Sequence, residues 1–242
     1  MKSSRITLCL ATIAAAVLLA GDAATAQVTP PSREVLNEAY PGKAYSPYAG
    51  RGFPSRVFWG DTHLHTSNSM DAGAFGNRLD IDEAYRFARG EEVITSTGQP
   101  AKLSRPLDWL VVADHSDNMG FFPDMFAGAP HILSDPTGQD WYDRIQAGEG
   151  VGVALELIGL FSQGQFPEAL LYRPDSKYYK DAWQKTVGFA EQFNDPGVFT
   201  AFIGYEWTSL VTGNNMHRVV VYRDGGEKGG QMVPMTTVAP QG

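Results

Sequence analysis

Three apolar segments that each end in histidine or acidic residues most constrain how this chain can fold. Val57 and Phe58 lead into the first, residues 107–113 form the second, and residues 199–205 form the third. Short apolar runs of this kind are typical of strands buried on both faces of a sheet. Helical patterns separate the segments, and strands that alternate with helices usually pair in parallel. The order therefore predicts an α/β fold with a parallel sheet or barrel.

The polar residues at the ends of these segments are the candidate functional residues. They are His63 and His65 after the first segment, Asp114 and His115 after the second, and Glu206 after the third. Because the carboxyl ends of parallel strands face one crevice, we expect these side chains to converge there.

The first segment carries two histidines separated by one residue. Side chains alternate along an extended strand, so His63 and His65 point to the same face and their imidazoles can converge. Neutral imidazole nitrogens suit zinc, manganese or iron, and Asp71 offers a carboxylate from the adjoining loop. The bare His-Leu-His tripeptide is equally compatible with two polar residues at a strand end, since short motifs often match by chance.

Two helices are predicted from capping and periodicity. Asp80 can cap the first helix, with Glu83 placed to complete a capping box, and the second helix extends from Ser176 to Asn194. Each has an apolar stripe that predicts one buried face. The stripes are Ile81, Ala84, Tyr85 and Ala88 in the first helix, and Tyr179, Ala182, Trp183, Ala190 and Phe193 in the second. Residues 95–105 are predicted to form a loop or a small hairpin.

Residues 118–175 are predicted to form a long excursion from the sheet. Glycine and three prolines break its early part, and His131 among them is expected to be solvated in a loop. The later part shows a helical stripe, formed by Val151, Ala154, Leu157, Ile158 and Phe161.

The third apolar segment is followed by two extended runs around a glycine-asparagine turn. Glu206 begins the first run, Gly213 and Asn214 mark the turn, and residues 216–222 form the second run. This pattern predicts an antiparallel hairpin that brings His217 back beside Glu206. The register can differ by one residue from this pairing.

The amino-terminal residues predict export. Lys2 and Arg5 precede an apolar run, and residues 24–26 (Ala-Thr-Ala) resemble a cleavage site, so residues 1–26 are predicted to be a signal peptide. The apolar run is too short for a membrane anchor, and we expect no span in the mature chain, which would be periplasmic or secreted. Cys9 is the only cysteine. A mature chain without thiols must bind metals through His, Asp and Glu.

Composition predicts one domain after an irregular leader. Residues 27–56 are rich in proline and glycine, and residues 57–242 suit a single domain with a full core. The net charge of −8 argues against non-specific binding of nucleic acid, which depends on clustered lysine and arginine.

The ordered motifs resemble the PHP superfamily, named for polymerase and histidinol phosphatase domains. The matching pieces are His63 to Asp71 (His-Leu-His-Thr-x-x-Ser-x-Asp), Ala113 to His115 (Ala-Asp-His), Gly204 to Glu206 (Gly-Tyr-Glu) and the strand that begins near His217. Flanking sequences such as Ala-Tyr-Arg-Phe-Ala-Arg-Gly resemble an exported branch, catalogued as domain of unknown function 3604. The resemblance extends over residues 57–224.

The resemblance implies a distorted (β/α)7 barrel that holds two or three divalent metal ions and hydrolyses a phosphate ester, a small anionic substrate. By resemblance the metal ligands are His63, His65, Asp71, His115, Glu206 and His217, and Glu206 bridges two ions. Asp114 would orient a ligand or accept a proton, although it could equally cap the next turn. Arg218 would hold a substrate anion or, alternatively, be a solvated strand residue.

One departure from the family pattern affects these expectations. The later family motifs, another histidine and a closing Asp-x-His, are absent because no histidine follows His217. We therefore expect the amino-terminal portion of the barrel only, with an incomplete site. Two alternatives stay open: a metal-dependent hydrolase of another ester or amide class, and a metal-binding protein without activity.

Overall fold

The computed structural model describes residue 32, residues 34–35, residues 56–209 and residues 215–238. The predicted signal peptide and almost all of the predicted leader lie outside the described residues, as do Gly213 and Asn214 of the predicted turn. The chain divides into two compact units, Met1–Val57 and Phe58–Gly242. In the described part of the first unit, the Val35 amide donates a hydrogen bond to Ser32 Oγ at 3.3 Å.

Among the described residues, the strands and the helices named below lie in the second unit. Its strands are β1 (Gly60–Leu64), β2 (Val93–Ile94), β3 (Pro100–Ala101), β4 (Trp109–Val112), β5 (Thr200–Phe202), β6 (Gly204–Ser209) and β7 (Met216–Val221). Its helices are α1 (Met70–Ala74), α2 (Ile81–Ala88), α3 (Phe121–Phe126), α4 (Pro130–Leu133), α5 (Pro136–Gln146), α6 (Gly150–Ser162), α7 (Lys177–Phe193) and α8 (Gly226–Gly229), with a short 3-10 helix at Glu168–Leu170. Within the described ranges, no helix has the length and apolar character to cross a membrane.

The central sheet is parallel, with strand order β1-β4-β5. Trp109 in β4 pairs with Gly60 on one side and with Thr200 on the other. The predicted parallel α/β arrangement is therefore confirmed. Among the described residues the sheet does not close into a barrel, so the (β/α)7 barrel stays a prediction.

The sequence is misleading about the burial of β1. β4 is buried as predicted, but β1 lies at the edge of the described sheet, and its three central residues are exposed. Val57 and Trp59 before it are 65% and 58% exposed. Apolar character alone cannot distinguish a central strand from an edge strand, because both read as short β-type segments.

The two predicted helices are confirmed as α2 and α7. The Asp80 carboxylate accepts from the Glu83 amide at 3.1 Å, and the Glu83 carboxylate accepts from the Asp80 amide at 2.9 Å, which completes the capping box. Ser176 caps α7. Every residue of both predicted stripes is buried. Residues 95–105 contribute β3 and the turn of an antiparallel β2-β3 hairpin. Of the two alternatives for this segment, the small hairpin is therefore confirmed.

The excursion is more helical than its prolines suggest. Pro130 and Pro136 lie in the first turns of α4 and α5, where a missing N–H costs nothing, so they start helices instead of breaking them. In α6 the predicted stripe is partly wrong, because Val153, Ala154 and Leu157 are buried while Val151 is 64% exposed. This helix is apolar on most sides, so its periodicity does not identify the inner face.

The third predicted strand divides into two strands. β5 belongs to the parallel sheet, whereas β6 pairs with β7 in an antiparallel hairpin. Glu206 therefore lies within β6, whereas the prediction placed it between the third segment and the hairpin, as the first residue of the first hairpin run. A Cβ on Gly204, the first residue of β6, would contact the Val111 side chain and lie 2.8 Å from the Val220 carbonyl oxygen. The change of sheet therefore requires glycine at this position.

Candidate metal centre

Four elements and the adjoining loops place imidazoles and carboxylates around one point. Their ring nitrogens and carboxylate oxygens form three overlapping groups, and within each group all of these atoms lie within 4.8 Å of one another. The groups are His63, His65 and Glu206; His65, Asp71 and His115; and His115, Glu206 and His217. The structure therefore brings together all six side chains that the sequence singled out as candidate ligands.

Glu206 lies at the centre of the cluster, and its side chain is fully buried. One carboxylate oxygen, Oε2, lies 2.8 Å from His63 Nε2 and 2.9 Å from His65 Nε2. The other oxygen, Oε1, lies 2.6 Å from His217 Nδ1. The two oxygens of one carboxylate thus face different histidines.

The hairpin register explains how His217 reaches Glu206. Glu206 pairs with Val219, and Thr208 pairs with His217. Because side chains alternate along a strand, Glu206, Thr208 and His217 all project from the same face. The predicted hairpin is confirmed, and the approach of His217 to Glu206 is diagonal.

Asp71 contacts the two other members of its ligand group, His65 and His115. Both of its carboxylate oxygens lie 2.9 Å from His65 Nδ1, and Oδ2 lies 3.6 Å from His115 Nε2. His65 therefore has one ring nitrogen towards Asp71 and the other towards Glu206.

The close contacts fit metal ligands better than a hydrogen-bond network. His65 Nε2 and Glu206 Oε1 are buried and have no hydrogen-bond partner, although polar atoms lie 2.9 Å and 2.6 Å from them. Donor atoms that bind the same metal ion lie this close together, because metal–ligand bonds of about 2.0–2.2 Å place neighbouring donors roughly 3 Å apart. A set of nitrogen and oxygen donors without sulfur suits zinc, manganese or iron.

Hydrogen bonds and neighbouring charges keep the Asp71 and Glu206 carboxylates ionised against the effect of burial. Burial raises the pKa of Asp71, but hydrogen bonds from His65 and Ser69 more than offset it and hold that pKa below its usual range. Burial also raises the pKa of Glu206, and the surrounding histidines outweigh it, so that pKa is lowered too. Burial lowers the pKa of His65, but the contact with Asp71 and the charges of Asp114 and Glu206 together raise it further than burial lowers it. Ionised carboxylates are the form that binds cations.

Two hydroxyl side chains orient the cluster, and the sequence analysis assigned no role to either. Ser69 Oγ donates to Asp71 Oδ1 at 2.6 Å and accepts from the His115 amide at 3.0 Å. Thr208 Oγ1 lies 3.0 Å from His115 Nδ1. Sequence spacing could have indicated both residues, since Ser69 lies inside the first motif and Thr208 is two residues after Glu206 on the same strand face.

Asp114 is directed at the loop after β1 and is not part of the three ligand groups. Its two oxygens accept from the Thr66 amide at 2.5 Å and from Thr66 Oγ1 at 2.7 Å. Burial raises the pKa of Asp114 to about 6 despite these hydrogen bonds. The carboxylate therefore fixes the residue that follows His65.

The structure does not bring Arg218 to the cluster. Arg218 pairs with Trp207, and its guanidinium lies 5.6 Å from the centre of that indole ring. Since His217 projects into the site, strand alternation directs Arg218 to the opposite face. Of the two alternatives for Arg218, this position favours a strand surface residue.

The prediction for His131 is wrong. This residue lies in α4, its Nε2 is 2.6 Å from Tyr172 Oη, and its ring stacks on Tyr178 with centroids 4.0 Å apart. Packing against two tyrosines replaces the solvated loop that the nearby prolines suggested. His131 lies outside the three ligand groups.

Comparison with known proteins identifies a family without an assigned activity. No curated protein and no solved structure matches the chain significantly. One family, described as "Protein of unknown function (DUF3604)", matches residues 52–241, and this stretch contains all six candidate ligands. Because the match covers most of the sequence, the chain belongs to the DUF3604 family.

Proposed function

We propose that this chain is an exported hydrolase of phosphate esters that depends on two or three divalent metal ions. The observation that carries the proposal is the buried Glu206 carboxylate, which faces His63 and His65 with one oxygen and His217 with the other. The motif resemblance to the PHP superfamily supports the choice of phosphate esters, and the zinc, manganese or iron preference follows from the donor set.

The geometry supports a role for the candidate ligands in this proposal. Glu206 would serve as the bridging ligand, because its two oxygens lie against different histidines. Asp71 and His115 complete the side of the cluster away from His63. Asp114 acts as a positioning residue, since both of its oxygens are occupied by Thr66. When bound, a divalent pair acidifies water and neutralises the developing charge on phosphoryl oxygens.

The proposal is tested by metal content and turnover measured together. The purified chain and its His65→Ala variant are loaded with zinc or manganese, gel-filtered and assayed by mass spectrometry for metal. Loss of one ligand should lower metal affinity well over tenfold, because even changes beyond the ligands cost about 10–100-fold. His131→Ala is the matched control, since His131 lies outside the ligand groups and should leave metal content unchanged.

Turnover then distinguishes the reaction classes. An aryl phosphate, an aryl sulfate and an anilide are offered to the metal-loaded chain. We expect hydrolysis of the phosphate, reduced in His65→Ala and retained in His131→Ala. Preference for the sulfate or the anilide would assign the site to another hydrolase class. Stoichiometric metal without turnover of any of the three substrates would identify a metal-binding protein, and equal metal in the parent chain and both variants would exclude His65 as a ligand.

A further inference from the structure

A cavity adjoins the metal cluster and shares side chains with it. Its volume is about 160 Å³, and Asp71, His115 and His217 are among the residues that line it. These three side chains also belong to the ligand groups. A compound bound in the cavity therefore reaches the candidate metal ligands directly.

Much of the remaining lining is apolar. Met70 from α1 and Ile158 and Phe161 from α6 line the cavity. All three side chains are half-buried, and Phe161 is held by an edge-on contact with Phe166 at 5.8 Å. Covering them with an apolar group removes that surface from water, which favours binding. A cavity of about 150 Å³ with apolar walls is large enough to bind benzene.

The charged residues that line the cavity disfavour a substrate that carries a second anionic group besides the phosphate. Asp71 and Asp117 both line the cavity, and among the described residues that do so none is a lysine or arginine. Arg218 lies over Trp207 on the other face of its strand. If the alcohol part of the substrate carried an anionic group, that group would lie near Asp117, and no lysine or arginine among the described lining residues would pair with it. Such contacts between like charges act against binding. The other lining residues are Ser162, Thr208 and Asn215.

We infer that the substrate is a phosphate ester whose alcohol group is uncharged, apolar and about the size of a benzene ring. Met70, Ile158 and Phe161 hold that group while the phosphate lies at the cluster. The inference rests on the proposed function for the reacting end of the substrate, and on the cavity for the other end.

Binding of non-hydrolysable phosphonates tests the inference. The zinc-loaded full chain is titrated calorimetrically with phenylphosphonate, methylphosphonate and 4-carboxyphenylphosphonate. We expect phenylphosphonate to bind about tenfold or more tightly than methylphosphonate, because only the phenyl ring covers the apolar wall. The added carboxylate should remove most of this advantage.

Two substitutions in α6 test whether the apolar wall of the cavity causes the difference in phosphonate affinity. Phe161→Ala should weaken phenylphosphonate binding by about tenfold and leave methylphosphonate binding unchanged. Leu155→Ala is the control, because Leu155 is 60% exposed on the same helix and is not among the cavity residues. Equal affinities for the phenyl and methyl compounds, or equal losses in the two variants, would overturn the inference.

Hydrolysis of phenyl phosphate and methyl phosphate separates the two proposals. If the esters are hydrolysed but both phosphonates bind equally, the hydrolase proposal stands and the cavity inference fails. If neither ester is hydrolysed but phenylphosphonate binds preferentially through Phe161, the cavity inference stands and the hydrolase proposal fails.

Discussion

Glu206 combines complete burial with a carboxylate that is surrounded by histidines. Its pKa is lowered, because the histidines outweigh the effect of burial, so the charge is kept where the ligand groups overlap. A buried charge of this kind needs a compensating partner. Bound cations would compensate this charge directly.

Glu206→Gln should lower activity much more than it lowers stability. The amide keeps the side-chain volume and removes the negative charge, so the site should lose at least one ion and kcat should fall by orders of magnitude. We expect the metal-free melting temperature to change by only a few degrees, about 1 kcal/mol, because removing a buried charge also removes its desolvation cost and so offsets the lost histidine contacts. Kinetics at saturating metal and thermal melting of the metal-free protein measure the two effects separately, since bound metal itself raises the melting temperature.

The matched control for this variant is Glu227→Gln, which makes the same chemical change at an exposed residue of α8. It should leave metal content and turnover unchanged. If Glu206→Gln keeps near-parent turnover and only lowers the metal-free melting temperature, the carboxylate is a structural contact and the bridging role is wrong.

Sequence reasoning at the residue scale predicted which side chains would converge, because period-two alternation and strand ends are local properties. The same alternation places Arg218 on the other face, since it directly follows His217. The spacing of Ser69 and Thr208 makes both candidates, but it does not distinguish them from other hydroxyl residues, which are common in loops and strands. Only the folded distances, such as 3.0 Å from Thr208 Oγ1 to His115 Nδ1, show what they contact.

The junction between β5 and β6 decides where Glu206 lies. β5 ends at Phe202 and the hairpin begins at Gly204, which packs closely against Val111 and the Val220 carbonyl. Glu206 still forms a parallel bridge with His115, beyond the end of β4. The packing of Gly204 between Val111 and Val220 therefore helps to set the position of Glu206, the candidate bridging ligand.

Gly204→Ala should destabilise the metal-free protein by about 1–3 kcal/mol, the usual cost of overpacking a well-packed site. For a chain of this size, about 1 kcal/mol lowers the melting temperature by roughly 2–4 °C. Gly188→Ala is the control, because an added Cβ in α7 has open space and alanine favours a helix. The prediction is checked by calorimetry, and identical melting temperatures for the two variants would show that the junction tolerates a side chain.

The elements that sequence predicted well are those with local signals. The capping box of Asp80 and Glu83 and the stripe of α7 depend on residues within a few turns of one another. Sequence could not orient α6, where apolar residues occur on most sides, and it could not show that β1 lies at an edge. Both properties depend on which distant elements pack nearby, and no local pattern encodes them.

At the scale of the whole molecule, the order of strands and helices correctly predicted a parallel α/β sheet. The (β/α)7 barrel and the domain boundaries stay predictions, because closure is a relation between the first and last strands of a fold. The three-stranded described sheet, β1-β4-β5, is compatible with several larger α/β architectures.

Export is a whole-molecule property that can be tested directly. If residues 1–26 are a signal peptide, the mature chain begins at Gln27 and loses Lys2, Arg5 and Asp22, so its formal charge changes from −8 to −9. Cleavage also removes Cys9, the only cysteine in the sequence. The protein recovered from the periplasm or the medium should therefore contain no titratable thiol.

Intact mass and amino-terminal sequencing of the exported protein check this prediction, together with a thiol assay on the denatured chain. An Ala26→Lys variant serves as the control, because a long charged residue at the cleavage site should block processing and leave Cys9 in the product. An exported parent chain that retains Met1 would contradict the signal peptide. The set of metal ligands would then have to include a candidate sulfur donor, because a chain that keeps Cys9 has a thiol in addition to its imidazoles and carboxylates.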